Sequence, residues 1–175
     1  MVFTEYFWIK KDPDAPTVIN AKNFTAKNYP YFIDEKIFSE IDDGVAYYSG
    51  DAAPCDILFE PTFLIGDRFK SIFEFIEPDL ELKGVQLYKN IQPDKFPAPL
   101  FWLPYLPCKE VFSPKSIIYQ GKPEKLFLRR SALPENRLIH CKLPAADIWI
   151  VNLEAAECLL RRQPVGIILQ KIEVD

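Results

Sequence analysis

Phe63-Leu64-Ile65-Gly66-Asp67-Arg68-Phe69-Lys70-Ser71-Ile72-Phe73-Glu74-Phe75-Ile76-Glu77-Pro78 is the stretch that decides the fold. Three apolar residues in a row suit a buried strand, and they run straight into Asp67, a residue type that caps helices. Phe69, Ile72, Phe73 and Ile76 then recur at helical spacing, and Pro78 stops the helix. Leu82-Lys83-Gly84-Val85-Gln86-Leu87-Tyr88-Lys89 follows as a strand marked by its glycine. The same order returns later. Ile148-Trp149-Ile150-Val151 reads as a strand and Asn152 as a cap. A helix comes next, with Leu153, Ala156, Leu159 and Leu160 facing inward and Pro164 as its stop. Val165-Gly166-Ile167-Ile168-Leu169-Gln170-Lys171 closes the pattern, and Gly84, Leu87 and Lys89 align with Gly166, Leu169 and Lys171. Residues 63–89 and 148–171 are therefore expected to form two strand-helix-strand units, candidates for an internal repeat.

Outside these units, short apolar runs alternate with turn signals. Strands are expected at Phe3–Ile9, Val45–Tyr48, Ile57–Phe59, Ser116–Tyr119, Lys125–Arg129 and Leu138–Lys142. A short helix is expected from Asp34 to Ile41, with Ile37, Phe38 and Ile41 apolar. The sum is a strand-rich α+β fold in one compact domain spanning 1–175, a length suited to a single core. Hydrophobic residues at 49% exclude a disordered chain. Sixteen prolines exclude a long helical bundle, because proline breaks helix interiors.

The two units are joined through a segment rich in proline and aromatics, residues 92–114. Its centre, Pro97-Ala98-Pro99-Leu100-Phe101-Trp102-Leu103-Pro104-Tyr105-Leu106-Pro107, is too apolar for a flexible linker. Extended chain packed against the fold is the plainer expectation. The sharper one is a partner surface anchored by Trp102 and Tyr105, since such rings dominate interface energetics.

Charge is unevenly spread. The chain carries −4 overall, yet residues 34–81 hold thirteen carboxylates against Lys36, Arg68 and Lys70. That half is unsuited to nucleic acid, which needs Lys and Arg for its phosphates. It suits a basic partner, with a merely solvated acidic surface as the alternative. Asp42, Asp43 and Asp51 lie near Gly44 and Gly50 in turn-like sequence and, with Asp56, Trp102 and Tyr105, are the expected partner-binding residues.

Little in the sequence points to catalysis. The one histidine, His140, sits beside Cys141, and neighbours on a strand point to opposite faces, so the two are not a dyad. Cys55, Cys108 and Cys158 are far apart in sequence, and whether any of them approaches His140 depends on the fold. Metal-ligand spacing, a glycine-rich phosphate loop and a serine nucleophile elbow are all lacking, so no metal, no cofactor and no catalytic residue are expected. No apolar run approaches the roughly 20 residues that cross a bilayer. Met1–Ile9 has Glu5 and no basic leader region, so we expect a cytoplasmic protein with reduced thiols.

Trp149-Ile150-Val151-Asn152 with Gly166-Ile167, and Leu64-Ile65-Gly66-Asp67-Arg68-Phe69 with Gly84-Val85, resemble the endings of small bacterial proteins. These are uncharacterised-domain proteins classed among the immunity proteins of polymorphic toxin systems. Asn152 departs from the serine or acidic residue usual there, and Gly66 stands where a small residue is common. The resemblance covers two patches of about 25 residues each and leaves the N-terminal third unmatched. It implies a cytoplasmic, non-enzymatic α+β protein that binds and neutralises a cognate toxin domain, a basic one if the acidic half forms the contact. It carries no catalytic residues over and implies neither a nucleic-acid nor a membrane partner. An enzyme with an acidic active cleft, or a ligand-sensing or scaffold module, are the alternative expectations.

Overall fold

The computed structural model describes residues 5–15, 19–20, 33–41, 44–49, 55–60, 62–89 and 99–175. One sheet has five strands. Its order is β10 (Phe127–Leu128), β13 (Ile167–Val174), β1 (Tyr6–Lys11), β12 (Ala146–Asn152) and β11 (Leu138–Leu143). The second has six, in the order β2 (Ile19–Asn20), β3 (Gly44–Ser49), β6 (Glu81–Lys89), β7 (Leu100–Tyr105), β5 (Leu64–Gly66) and β4 (Ile57–Leu58). A separate hairpin joins β8 (Ile117–Tyr119) to β9 (Lys122–Lys125). Three helices, α1 (Glu35–Glu40), α2 (Asp67–Ile76) and α3 (Leu153–Leu160), complete a strand-rich α+β domain.

Both strand-helix-strand units are present, as β5-α2-β6 and β12-α3-β13. In each, the two strands run parallel with one antiparallel strand between them: β7 in the first unit, β1 in the second. The inserted strand follows its unit in the chain in one case and precedes it in the other. The helices meet in one core. Phe69, Phe73 and Ile76 of α2 and Ala155, Ala156 and Leu159 of α3 pack with Ile9, Ile65, Trp149 and Val151. Each large apolar side chain buried this way contributes roughly 1.5–3 kcal/mol. The far face of the five-stranded sheet holds a second core around Ile139, Cys141, Ile148 and Ile150. The far face of the six-stranded sheet holds a third, where Phe38 and Ile41 meet Leu64, Val85 and Phe101.

Local details correct several expectations. Asn152 caps α3 as expected, its Oδ1 accepting from the Ala155 amide at 2.9 Å. Asp67, by contrast, is the first residue of α2. Gly66 holds the cap position without a side-chain cap, and it is glycine because a Cβ there would lie 2.6 Å from the Asp56 carbonyl oxygen. Leu153 and Leu160 face solvent, and Ala155 takes the inward place beside Ala156 and Leu159. Ala155 and Ala156 are buried in the core that α3 shares with α2, where small side chains let the helix lie close to its neighbours. Strand β9 overlaps the expected strand at Lys125–Arg129 only at Lys125, because Lys122-Pro123-Glu124-Lys125 has no apolar signal, and the rest of that expectation is met only at β10. Its pairing comes from the turn before it: Gln120 and Gly121 both have positive φ, the pattern of a tight hairpin. Residues 99–105 of the proline-rich segment are packed extended chain, with β7 inside the six-stranded sheet. Proline is tolerated at position 104 because β5 pairs only with Phe101 and Trp102, which leaves that edge of β7 open beyond them.

Gly166 has φ +100°, and a Cβ built on it would sit 2.5 Å from the Cys55 Cβ. Gly166→Ala therefore combines backbone strain with a clash between the two halves. It should lower stability by roughly 2–4 kcal/mol in urea unfolding. A loss under about 0.5 kcal/mol would show that Cys55 yields freely and that this contact does not constrain the fold.

Candidate functional site

Antiparallel pairing of β11 with β12 sets His140 opposite Trp149 and Cys141 opposite Ile148. The two neighbours point to opposite faces, as strand geometry requires, and Cys141 lies in the second core. There burial raises its thiol pKa, with smaller upward contributions from Cys108 and Asp147. His140 is 5% exposed, and its ring stacks on Trp149 at 4.2 Å and 11°. Phe63 also stacks on Trp149, at 5.0 Å and 19°. The indole is thereby held between the two rings, an arrangement that favours a cation over its face.

Both imidazole nitrogens meet acceptors. Nε2 donates to Asp147 Oδ1 at 2.6 Å, and Nδ1 donates to the Leu106 carbonyl at 2.7 Å. Asp147 Oδ2 accepts from the Trp149 indole nitrogen at 3.0 Å. Two donated bonds require a proton on each nitrogen, so the group is an imidazolium. Burial alone would lower its pKa. The Asp147 hydrogen bond, the Cys108 sulfur, the Asp147 charge and the Leu106 carbonyl outweigh burial and raise it to about 10. The Cys108 Sγ lies 3.5 Å from Nδ1, and Cys108 is exposed. The Lys109 amide donates to the His140 carbonyl at 2.8 Å, so the segment 106–109 is tied to His140 on both sides.

A thiol on one ring nitrogen and a carboxylate on the other is the layout of a cysteine-histidine-aspartate triad. Sequence reasoning had the histidine and the cysteines but no means of joining them, because positions 108, 140 and 147 meet only through tertiary packing. Two clefts flank the group. One, of about 230 Å³, is lined by Asp79, Leu106, Pro107, Lys109, Asn136 and Leu138. The other, of about 290 Å³, includes Trp8, Thr62, Lys122 and Asp147. Among the described residues no cluster of His, Cys, Asp and Glu is arranged to hold a metal ion.

Of the residues expected to bind a partner, Asp42, Asp43 and Asp51 lie outside the described residues. Asp56 is held internally: its Oδ2 accepts from Arg68 at 2.8 Å and from the Val165 amide at 2.8 Å. Trp102 is half-buried against the α2 side of its sheet. Its indole donates to Asp67 Oδ1 at 2.8 Å, and the Lys70 ammonium lies 4.2 Å over its ring. Tyr105 is on the opposite face, stacked on Phe38 of α1 at 5.1 Å. The two aromatic residues therefore do not share a surface. Tyr105 does share one with carboxylates. Its phenol pKa is raised, first by burial and then by the charges of Glu35, Cys108, Glu81 and Asp34. Asp34, Glu35 and Glu81 are all exposed. Exposed Lys36 follows Glu35 directly, and Lys83, two residues from Glu81, donates to the Phe38 and Ile41 carbonyls at the end of α1.

No family model matches the chain, and no curated protein matches it. Among the described residues no helix is long and apolar enough to cross a membrane.

Folding raises the His140 pKa from 6.5 to about 10, so across that interval the folded state holds one proton more than the unfolded state. The stabilisation is complete below pH 6.5 and is lost as pH rises towards 10, by up to about 1.4 kcal/mol per pH unit. Urea unfolding between pH 6.5 and 8.5 should show this fall, and Asp147→Asn should flatten it while lowering stability throughout. An unchanged slope in that variant would mean that Asp147 does not hold the proton.

Proposed function

We propose that this chain is a non-enzymatic, cytoplasmic binding protein of the immunity type, which neutralises a basic cognate toxin domain through its acidic half. The observation that carries this reading is the setting of Tyr105: an aromatic ring supported by Phe38 and bordered by exposed Asp34, Glu35 and Glu81. A Lys or Arg from a partner would find an aromatic face and carboxylates within one patch, and unlike charges speed the encounter. Of the three cations of the acidic stretch, Arg68 is engaged on Asp56 and Lys70 on Glu74 and Trp102, while Lys36 is exposed beside Glu35 and leaves the patch net negative.

The state of His140 supports the non-enzymatic part. A general base needs a free lone pair near neutral pH. His140 has a proton on each nitrogen and a pKa near 10, and its Nδ1 proton points at the closer Leu106 carbonyl. Its hydrogen bonds pin the segment 106–109 to β11. Neither nucleic acid nor a membrane belongs to this reading, and it needs no cofactor.

The test is capture from the native host with the unaltered chain and with a Glu35→Lys/Glu81→Lys double variant. A basic protein should be retained by the first and released by salt. Its association rate at low salt should fall on the order of tenfold or more with the double variant. Tyr105→Ala should act on dissociation instead, speeding it by about tenfold if the ring is an anchor. An association rate indifferent to both salt and charge reversal would overturn the assignment of this face.

A further inference from the structure

We infer that Cys108 is a thiol-modification site, a nucleophilic sulfur set on the His140–Asp147 pair that exchanges with small, uncharged disulfides entering the adjoining cleft. This goes beyond the binding role above and does not depend on it.

Three observations combine. Cys108 is an exposed residue, and its sulfur makes a part-buried contact of 3.5 Å with Nδ1 of a buried imidazole, whose other nitrogen is 2.6 Å from the Asp147 carboxylate. The segment carrying it is fixed: the Leu106 carbonyl accepts from Nδ1 and the Lys109 amide donates to the His140 carbonyl. The backbone on both sides of Cys108 is therefore tied to His140, which places the sulfur beside the ring. Finally, the residues on either side of it, Leu106, Pro107 and Lys109, line the cleft of about 230 Å³, which gives the incoming molecule a place to lie. The attacking species in thiol exchange is the thiolate, and the Cys108 sulfur lies beside an imidazolium that Asp147 keeps in place. Cys55 and Cys141 are buried, and Cys158 is half-buried on α3.

The step balances without another reagent. The Cys108 thiolate attacks one sulfur of the disulfide. The new S–S bond forms as the old one breaks, and the second half leaves as a thiolate that takes a proton from water. Cys108 is oxidised to the mixed disulfide, and the released half is reduced to a thiol. A small thiol reverses it. Tyr105 feels the charge of Cys108, so the adduct would stand at the border of the acidic patch.

The test uses 2-hydroxyethyl disulfide at neutral pH, with each cysteine followed by peptide mass spectrometry. Cys108 should be modified on the order of tenfold faster than Cys158 in the folded chain, and the ratio should approach one in concentrated urea. Asp147→Asn should reduce the ratio while Cys55 and Cys141 stay unmodified, which reports that the variant remains folded. Equal rates at Cys108 and Cys158 in the folded chain would overturn the inference. So would a preference that survives urea, or an undiminished ratio in folded Asp147→Asn. If Asp147→Asn exposes Cys55 and Cys141, the comparison of folded and urea-treated wild type decides alone.

Discussion

Everything in this fold depends on how closely the chain around Asp56 approaches the turn before β13. The Asp56 amide donates to the Val165 carbonyl at 3.0 Å, and its carboxylate accepts the Val165 amide at 2.8 Å. Its carbonyl takes the Gly66 amide at 2.7 Å, at the point where β5 becomes α2. Arg68 adds a bridge from α2 to Asp56 and to the carbonyls of Arg162 and Gln163. One residue thus joins the end of each unit to the other. The two positions that face it closely are glycine for steric reasons: Gly66 against the Asp56 carbonyl, Gly166 against Cys55. With the ends joined, α2 and α3 are brought together and their apolar faces close a single core between the sheets.

That constraint explains which parts of the sequence could be read directly. Helical spacing of Phe69, Ile72, Phe73 and Ile76, and the cap at Asn152, are local properties and appear in the fold as the pattern suggests. The cap of α2 is not legible locally, because Asp67 is the better capping residue type yet stands inside the first turn. Gly66 before it is fixed as glycine by Asp56, whose carbonyl leaves no room for a Cβ there. The faces of α3 were misread for a similar reason. Leucines at 153 and 160 are apolar, but contact with α2 favours alanines, and the leucines remain outside.

The His140 group shows the limit more sharply. Every member is visible in the sequence, yet their meeting depends on strand register and on where β7 ends. Register sets His140 over Trp149, and the exit of β7 brings the Leu106 carbonyl to Nδ1. A buried charge costs several kcal/mol unless paired, and here the carboxylate, the carbonyl and the indole face offset that cost. The acidic patch was easier to anticipate, because charge can be counted along the chain. Its aromatic member could only be placed with the structure, which sets Tyr105 over α1 and Trp102 on the other face.

The segment from Tyr105 to Lys109 therefore has two duties that the fold cannot separate. Tyr105 is the last residue of β7 and lays its ring on Phe38 at the acidic side. Leu106 turns inward to the main core and gives its carbonyl to His140, and Lys109 returns its amide to the same residue. Cys108 lies between these two ties. Side chains so close to a doubly anchored backbone cannot move independently. Loss of the His140 proton would free the Leu106 carbonyl and loosen the path that orients both the Tyr105 ring and the Cys108 sulfur. With the imidazole pKa at about 10, that release lies above neutral pH. The buried cation thus ties together the backbone from which the Tyr105 ring and the Cys108 side chain project.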